Sequence, residues 1–226
     1  MALHTLLGAN GTIASALLPV LQAEGQQVRL VSRNPKPVPG TESVAADVLD
    51  YEQVLHAVKG SDIVYMLVGI QYNATIWERD WPVIMRNVIT ACKATNARLI
   101  FFDNAYMYGK VDEEITETTP YRPVSRKGKV RAGVARMLEA EMGSGALKAI
   151  IARAVDFYGP GVTDKSAAGI LVFANLKKEK KRNGSSTPTF PAPTTIHQTP
   201  QGLCICFPKA KTPSGRYGTC PASAPR

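Results

Sequence analysis

The stretch GANGTIA, residues 8–14, constrains this chain more than any other part of it. It follows a short apolar run, LHTLL at 3–7, and leads into TIASALLPVLQA at 12–23, whose apolar residues recur at helical spacing until Gly25 stops them. Glycine at 8, glycine at 11 and a small residue at 14 between a strand and a helix make the turn that lets a backbone approach a pyrophosphate. Gly8 permits the tight turn, Gly11 the close approach, and Ala14 the packing of helix on sheet, while the helix N-terminus offers N–H donors and positive potential. Asn10, Thr12 and Ile13 complete the expected contacts of this loop. A plain structural turn is the competing reading, and the position in the first strand-to-helix connection weighs against it.

The remainder of the body keeps the same alternation. VRLVS (28–32) reads as a second strand, followed by the Pro-rich loop NPKPVPG and a third strand, SVAADV (43–48). YEQVLHAVKG (51–60) is a helix with a glycine stop, and DIVYMLVG (62–69) a buried strand at whose end Leu67 and Gly69 join the expected cofactor contacts. A helix from about Trp81 to Thr95, strand ARLIFFD (97–103), a helix over 125–142 and strand LKAIIARA (147–154) continue the series. Strands alternating with helices at this spacing predict an α/β fold, a doubly wound parallel sheet of the NAD(P)-binding Rossmann type.

The alternation stops near Lys181, and the expected division is a Rossmann domain over 1–176 and a basic, Pro-rich irregular tail over 177–226. From Arg182 onward the chain holds eight of its sixteen prolines and no Asp or Glu, a composition that builds no packed layer. A one-base shift of frame through codons for Arg182-Asn183-Gly184 gives a Gln-Trp pair and, further on, a sequence resembling a folded α/β protein. A frameshift is therefore the expected origin of the tail, and a C-terminal substrate domain is expected to be largely missing. The formal charge of +9 falls to +4 for residues 1–181 once the five basic residues of the tail are set aside. KKEKKR at 177–182 reads as a solvated helix end, so no nucleic-acid partner is expected. Four cysteines without a C-x-x-C spacing indicate no metal site and no disulfide framework. With no membrane-spanning run and no leader at Met1, the expected location is the cytoplasm.

Cofactor specificity should be read at the end of the second strand. A carboxylate there would accept from the 2′-hydroxyl of NAD, but the sequence offers Ser32-Arg33-Asn34, and Arg33 suits a 2′-phosphate. NADP(H) is the preferred cofactor and NAD(H) the alternative. Asp47 and Val48, after the third strand, are expected to border the adenine, with a turn-forming role for Asp47 as the competing reading.

GANGTIA, LVSRNP with ADVLD, DIVYMLVG, FFDNAYMYG, TPYRPVSRKGKVRA and ARAVDFYGPG occur in an order that resembles the NAD-dependent epimerase/dehydratase family, the extended short-chain dehydrogenases/reductases. The resemblance covers roughly residues 3–175. It implies a Rossmann domain, and for members that do chemistry a Ser or Thr after the fifth strand and a Tyr with a Lys four residues on in the next helix. The Lys binds the nicotinamide ribose and the Tyr exchanges a proton with substrate oxygen. This sequence departs from that pattern, with Asn104 at the hydroxyl position. Aligned on Pro123, the Tyr and Lys positions fall to Val124 and Gly128, the latter flanked by Lys127 and Lys129. Asn104, Tyr106, Tyr108 and Lys129 are the candidate catalytic residues, with Tyr121 in reach only through loop geometry. Tyr106-x-x-x-Lys110 reads as a decoy, since an extended strand-end loop sends such residues apart. The resemblance makes Arg153, Asp156 and Tyr158 candidates for lining the substrate pocket, joined by the aromatic set Tyr65, Tyr72, Trp77 and Trp81 unless these only pack. The implied activity is hydride transfer on a small carbonyl or hydroxyl compound, or a sugar-nucleotide-like one. A catalytically silent NADP(H)-binding sensor is the alternative. A homodimer is compatible with either.

Overall fold

A computed structural model describes residues 1–112 and 114–155, together with the backbone of 198–199 and 202–203. Six parallel strands form one sheet: β1 (Leu3–Leu7), β2 (Gln27–Ser32), β3 (Thr41–Ala45), β4 (Ile63–Met66), β5 (Arg98–Asp103) and β6 (Ala149–Arg153). Their order is β3-β2-β1-β4-β5-β6. The chain first moves outward from β1 through β2 to β3, then returns to place β4 on the other side of β1. That reversal opens a crevice beyond the C-terminal ends of β1 and β4, where doubly wound sheets bind their ligands.

Four helices connect the strands: α1 (Thr12–Ala23), α2 (Tyr51–Val58), α3 (Ala74–Thr95) and α4 (Arg126–Gly143). Each of the last three starts where a short polar side chain caps free N–H groups. Asp50 accepts from Gln53 N, Asn73 from Thr75 N and Ile76 N, and Ser125 from Gly128 N. The helix expected from Trp81 begins about two turns earlier, at Ala74, because Asn73 caps it and Trp77, Trp81, Ile84 and Val88 then share its buried face. Pro82 lies inside this helix rather than near its start. The third strand also begins and ends earlier than 43–48, since Asp47 is drawn into a turn by Leu49 N and Gln53.

The core lies between the sheet and these helices, with Leu7, Val31, Val54, Val64, Met66, Ile84, Met85, Leu99 and Phe101 removed from solvent. Cys92 sits in it, and burial pushes its thiol up to about 12, which leaves it inert as a nucleophile. A short antiparallel pair, β7 (Gln198–Thr199) and β8 (Gly202–Leu203), belongs to a second unit, Thr195–Arg226. The expected boundary at 176/177, the basic cluster 177–182 and the frameshift origin of the tail lie outside the described residues. Among the described residues no helix is long and apolar enough to cross a membrane.

The end of the sheet away from the crevice carries buried polar groups. His4 Nδ1 lies 2.9 Å from the Tyr65 hydroxyl, and Thr5 Oγ1 lies 2.6 Å from Ser61 Oγ. Burial lowers the His4 pKa, against the opposing charge of Asp62. The unfolded chain therefore takes up the proton first, so this residue's contribution to stability is complete above about pH 6.5 and declines as pH falls through that value. Urea midpoints of wild type and His4→Phe, compared at pH 7.5 and 5.5, should show the wild type losing more on acidification. Parallel losses would remove His4 as the cause.

Candidate cofactor and active site

The turn after β1 is built from backbone. Gly8 N and Ala9 N both donate to Val31 O, at 2.9 and 3.1 Å, and Gly11 N donates to Gly8 O at 2.9 Å. Gly8 takes φ +97°, and a Cβ added to it would stand 2.8 Å from Leu67 O. Only glycine gives both the conformation and the space. Gly11 is the N-cap of α1, with no side-chain acceptor on the first turn and no acidic residue in it. The leading N–H groups of α1 thus meet the crevice without an internal anion, which is the chemistry a pyrophosphate needs. Thr12 is half-buried at the start of the helix, while Ile13 faces the core.

Asn10 ties this loop to the end of β2, its amide donating to Asn34 O at 2.8 Å and to Ser32 Oγ at 3.2 Å. Arg33 stands between those two residues, exposed. Asp47 accepts from Leu49 N at 3.0 Å, so its carboxylate shapes the turn between β3 and α2. Val48 packs against the core, and its carbonyl accepts from Asn87. Leu67 N donates to Leu7 O at 2.9 Å, which sets the β4 end against the glycine turn, and Gly69 is exposed beyond it.

At the end of β5, Asp103 is buried and Arg131 of α4 grips it, with Nε 2.7 Å from Oδ1 and Nη2 on the same oxygen. The guanidinium lies 4.2 Å from the Trp81 ring centroid and 5.0 Å from that of Phe101. Burial pushes the Asp103 carboxyl up, opposed by the charge of Arg131. Arg153, at the end of β6, donates to the Tyr108 hydroxyl at 2.8 Å and to that of Tyr121, and Tyr121 donates to Glu139. Burial pushes the Tyr121 phenol up, and its hydrogen bond to Glu139 adds to the shift. Tyr108 is 3% exposed. Tyr108, Tyr121 and Arg153 therefore hold one another beneath the loop after β5.

Tyr106 points the other way. It is 39% exposed, stacks on Trp77 at 6.2 Å between centroids and accepts from the Tyr72 hydroxyl at 3.4 Å. Asn104 Oδ1 accepts from Tyr106 N at 3.0 Å, which leaves the Asn104 amide NH2 for a ligand. Rather than running extended, the loop turns, with Tyr108 N donating to Ala105 O and Gly109 at φ +73°. Lys110 pairs with Asp112 on the surface, so it shares no face with Tyr106.

The two aligned helix positions lie at the start of α4. Val124 precedes the Ser125 cap and is 80% exposed, and Gly128 is packed so that a Cβ would meet Tyr106 O at 2.5 Å. Neither residue carries a reacting group. The inner face of α4 carries Lys127 and Arg131 instead, four residues apart. Lys127 Nζ lies 3.1 Å from the Tyr72 ring centroid and 5.8 Å from that of Trp77. Lys129 lies two residues from each of them, on the opposite side of the helix, in a groove with Glu78, Pro82, Val130 and Met137. Of the aromatic set, Tyr65 is buried beside His4 and Trp81 beneath Arg131, which leaves Tyr72 and the edge of Trp77 beside Tyr106. Asp156, Tyr158 and the Gly159-Pro160-Gly161 turn lie outside the described residues. Among the described residues no group of three His, Cys, Asp or Glu side chains is placed to hold a metal ion.

Comparison with known proteins agrees with this architecture. The NAD dependent epimerase/dehydratase family matches the chain over residues 5–190. None of the curated proteins compared matches it in sequence. Among solved structures, the enzyme WbmH of Bordetella bronchiseptica in complex with NAD+ superposes with a TM-score of 0.68 at 22% identity, covering 80% of this chain and 64% of WbmH. The UDP-glucose 4-epimerase of Thermus thermophilus, complexed with NAD, gives 0.67 at 23% identity, over 76% of this chain and 60% of that enzyme. A double mutant of DesIV, the dTDP-glucose 4,6-dehydratase of Streptomyces venezuelae, with NAD and DAU bound, gives 0.69 at 18%, over 79% and 63%. The chain thus spans less than two thirds of the length of each.

Proposed function

The chain belongs to the NAD dependent epimerase/dehydratase family, and from that premise we propose that it is a cytoplasmic NAD(P)-dependent enzyme. In this reading it binds NADP(H) in preference to NAD(H) and acts by hydride transfer on a small carbonyl or hydroxyl compound, sugar nucleotides included. The observation that carries the cofactor half is the helix behind Gly8 and Gly11, whose leading backbone donors take no side-chain cap and meet no acidic residue in the first turn among the described residues. NAD in the solved structures similar to this one supports a dinucleotide there. The sugar-nucleotide option rests on the kind of enzyme they are.

The first turn of α1 would hold the pyrophosphate, and the Arg33 guanidinium would take the 2′-phosphate in a charge-assisted, forked contact. When bound, the nicotinamide supplies or takes up a hydride. The chain's own residues do the rest. The Asn104 amide donates to a substrate oxygen and orients it, Tyr106 stands beside it with an exposed phenol, and Tyr72 with Trp77 forms an apolar wall that sheds water from one side. Tyr108 and Arg153 support this loop from below. The absence of a phenol on the inner face of α4 favours a second reading, a silent NADP(H) sensor. Tight NADPH binding without oxidation by any member of an aldehyde and sugar-nucleotide panel would select it.

Replacing Arg33 by Ser should weaken NADPH binding by about tenfold to a hundredfold, the worth of a charged hydrogen-bonding group, while NADH binding stays level. Titration of nicotinamide fluorescence measures both. Equal affinities for NADH and NADPH in the wild type would sink the NADP assignment.

A further inference from the structure

Building on the proposed function, we infer that Lys127 is the seat for a negatively charged oxygen of the substrate, a carboxylate or the alkoxide that develops as a carbonyl is reduced. Three observations lead there. Gly128, lacking a Cβ, lets the first turn of α4 touch the Tyr106 peptide, so Lys127 is held against the loop that follows β5. The Lys127 ammonium is half-buried over the face of Tyr72 and near Trp77. Its contacts among the described residues are these two rings, with no carboxylate or other oxygen accepting its N–H groups.

The neighbouring cations differ. Arg131 bonds to Asp103, Arg126 to Glu78, and Arg153 to Tyr108 and Tyr121. Among these described neighbours, Lys127 is the cation left over at the mouth of the site. An ammonium withdrawn from water keeps its charge best when an acceptor completes it, and aromatic faces satisfy it only in part. The Asn104 amide belongs to the loop after β5, against whose Tyr106 peptide Gly128 packs. The seat therefore combines a point charge with the flat faces of Tyr72 and Trp77. It suits a ligand with an anionic oxygen attached to a small flat or ring-shaped body. In the arrangement implied by the family resemblance a neutral phenol holds the proton. Here α4 presents the Lys127 ammonium over Tyr72 instead, four residues before Arg131.

The test uses the full chain, with and without saturating NADP+. Oxamate, acetate and the neutral isostere acetamide are titrated while tryptophan emission is followed, since Trp77 lies beside Nζ. Oxamate should perturb the emission of wild type, acetamide should not, and Lys127→Met should weaken oxamate by about tenfold or more with NADPH affinity kept within about threefold. Lys127→Arg should retain the anion response and so controls for folding. Equal oxamate binding by wild type and Lys127→Met, or no anion response in wild type, overturns the assignment. Failure of wild type to bind NADPH would instead sink the cofactor reading, because the oxamate response without cofactor still reports on Lys127.

Discussion

Gly8→Ala is expected to weaken NADPH binding by about a hundredfold and to destabilise the fold by about 1–3 kcal/mol, the cost of holding a side chain in a left-handed backbone conformation. The added methyl would meet Leu67 O at 2.8 Å and Val68 Cα at 3.0 Å. Both are backbone atoms at the end of β4, and Leu67 N is bonded to Leu7 O. Relief therefore demands that the β1 and β4 ends part, and this displaces the turn that faces the crevice. Nicotinamide fluorescence and urea midpoints measure the two effects. Gly25→Ala, where nothing lies within 4 Å, is the control and should leave binding unchanged. Undiminished NADPH binding by Gly8→Ala would show that the turn is not the phosphate site.

Arg131→Met should cost about 3–5 kcal/mol, because it strands the Asp103 carboxylate in a space that excludes water. Asp103 Oδ2 already lacks a hydrogen bond, and Arg153 Nε, 4.0 Å away, lacks one too. Arg153 is thus a second cation beside this carboxylate, but Oδ1 would keep only the Asn104 N–H as a donor once Arg131 is gone. The double variant Asp103→Leu with Arg131→Met should regain much of the loss, since a buried pair exchanged for apolar groups is often neutral. Chemical denaturation of the single and double variants measures this, and a loss below about 1 kcal/mol in Arg131→Met would contradict a functioning buried pair.

How far the chain could be read from its sequence depended on whether each feature is local. Helix α1 was legible to the residue, because GANGTIA, a helical apolar spacing and Gly25 are all within one stretch. The same locality made the glycine turn after β1 legible. Helix α3 was read short, since its true start rests on the Asn73 cap and on Trp77, which stacks against Tyr106 from another loop. The inner face of α4 was missed for a related reason. Its register follows from the Ser125 cap and from Gly128 fitting beneath Tyr106, a contact with a loop some twenty residues away in the chain. A Lys and an Arg four apart beside a helical glycine were the signal in the sequence. The Asp103 and Arg131 pair joins residues far apart in the chain and leaves no local trace.

The bare first turn of α1 has a thermodynamic consequence. A helix whose leading amides have no acceptor of their own is an incomplete folding unit, and an oxyanion that docks there serves as its cap. Ligand occupancy and the folding equilibrium are then linked. At a free ligand concentration about a hundred times its dissociation constant, the native state gains about 2.7 kcal/mol. On the proposed dinucleotide reading, how firmly this domain stays folded is set jointly by the chain and by the surrounding nucleotide pool.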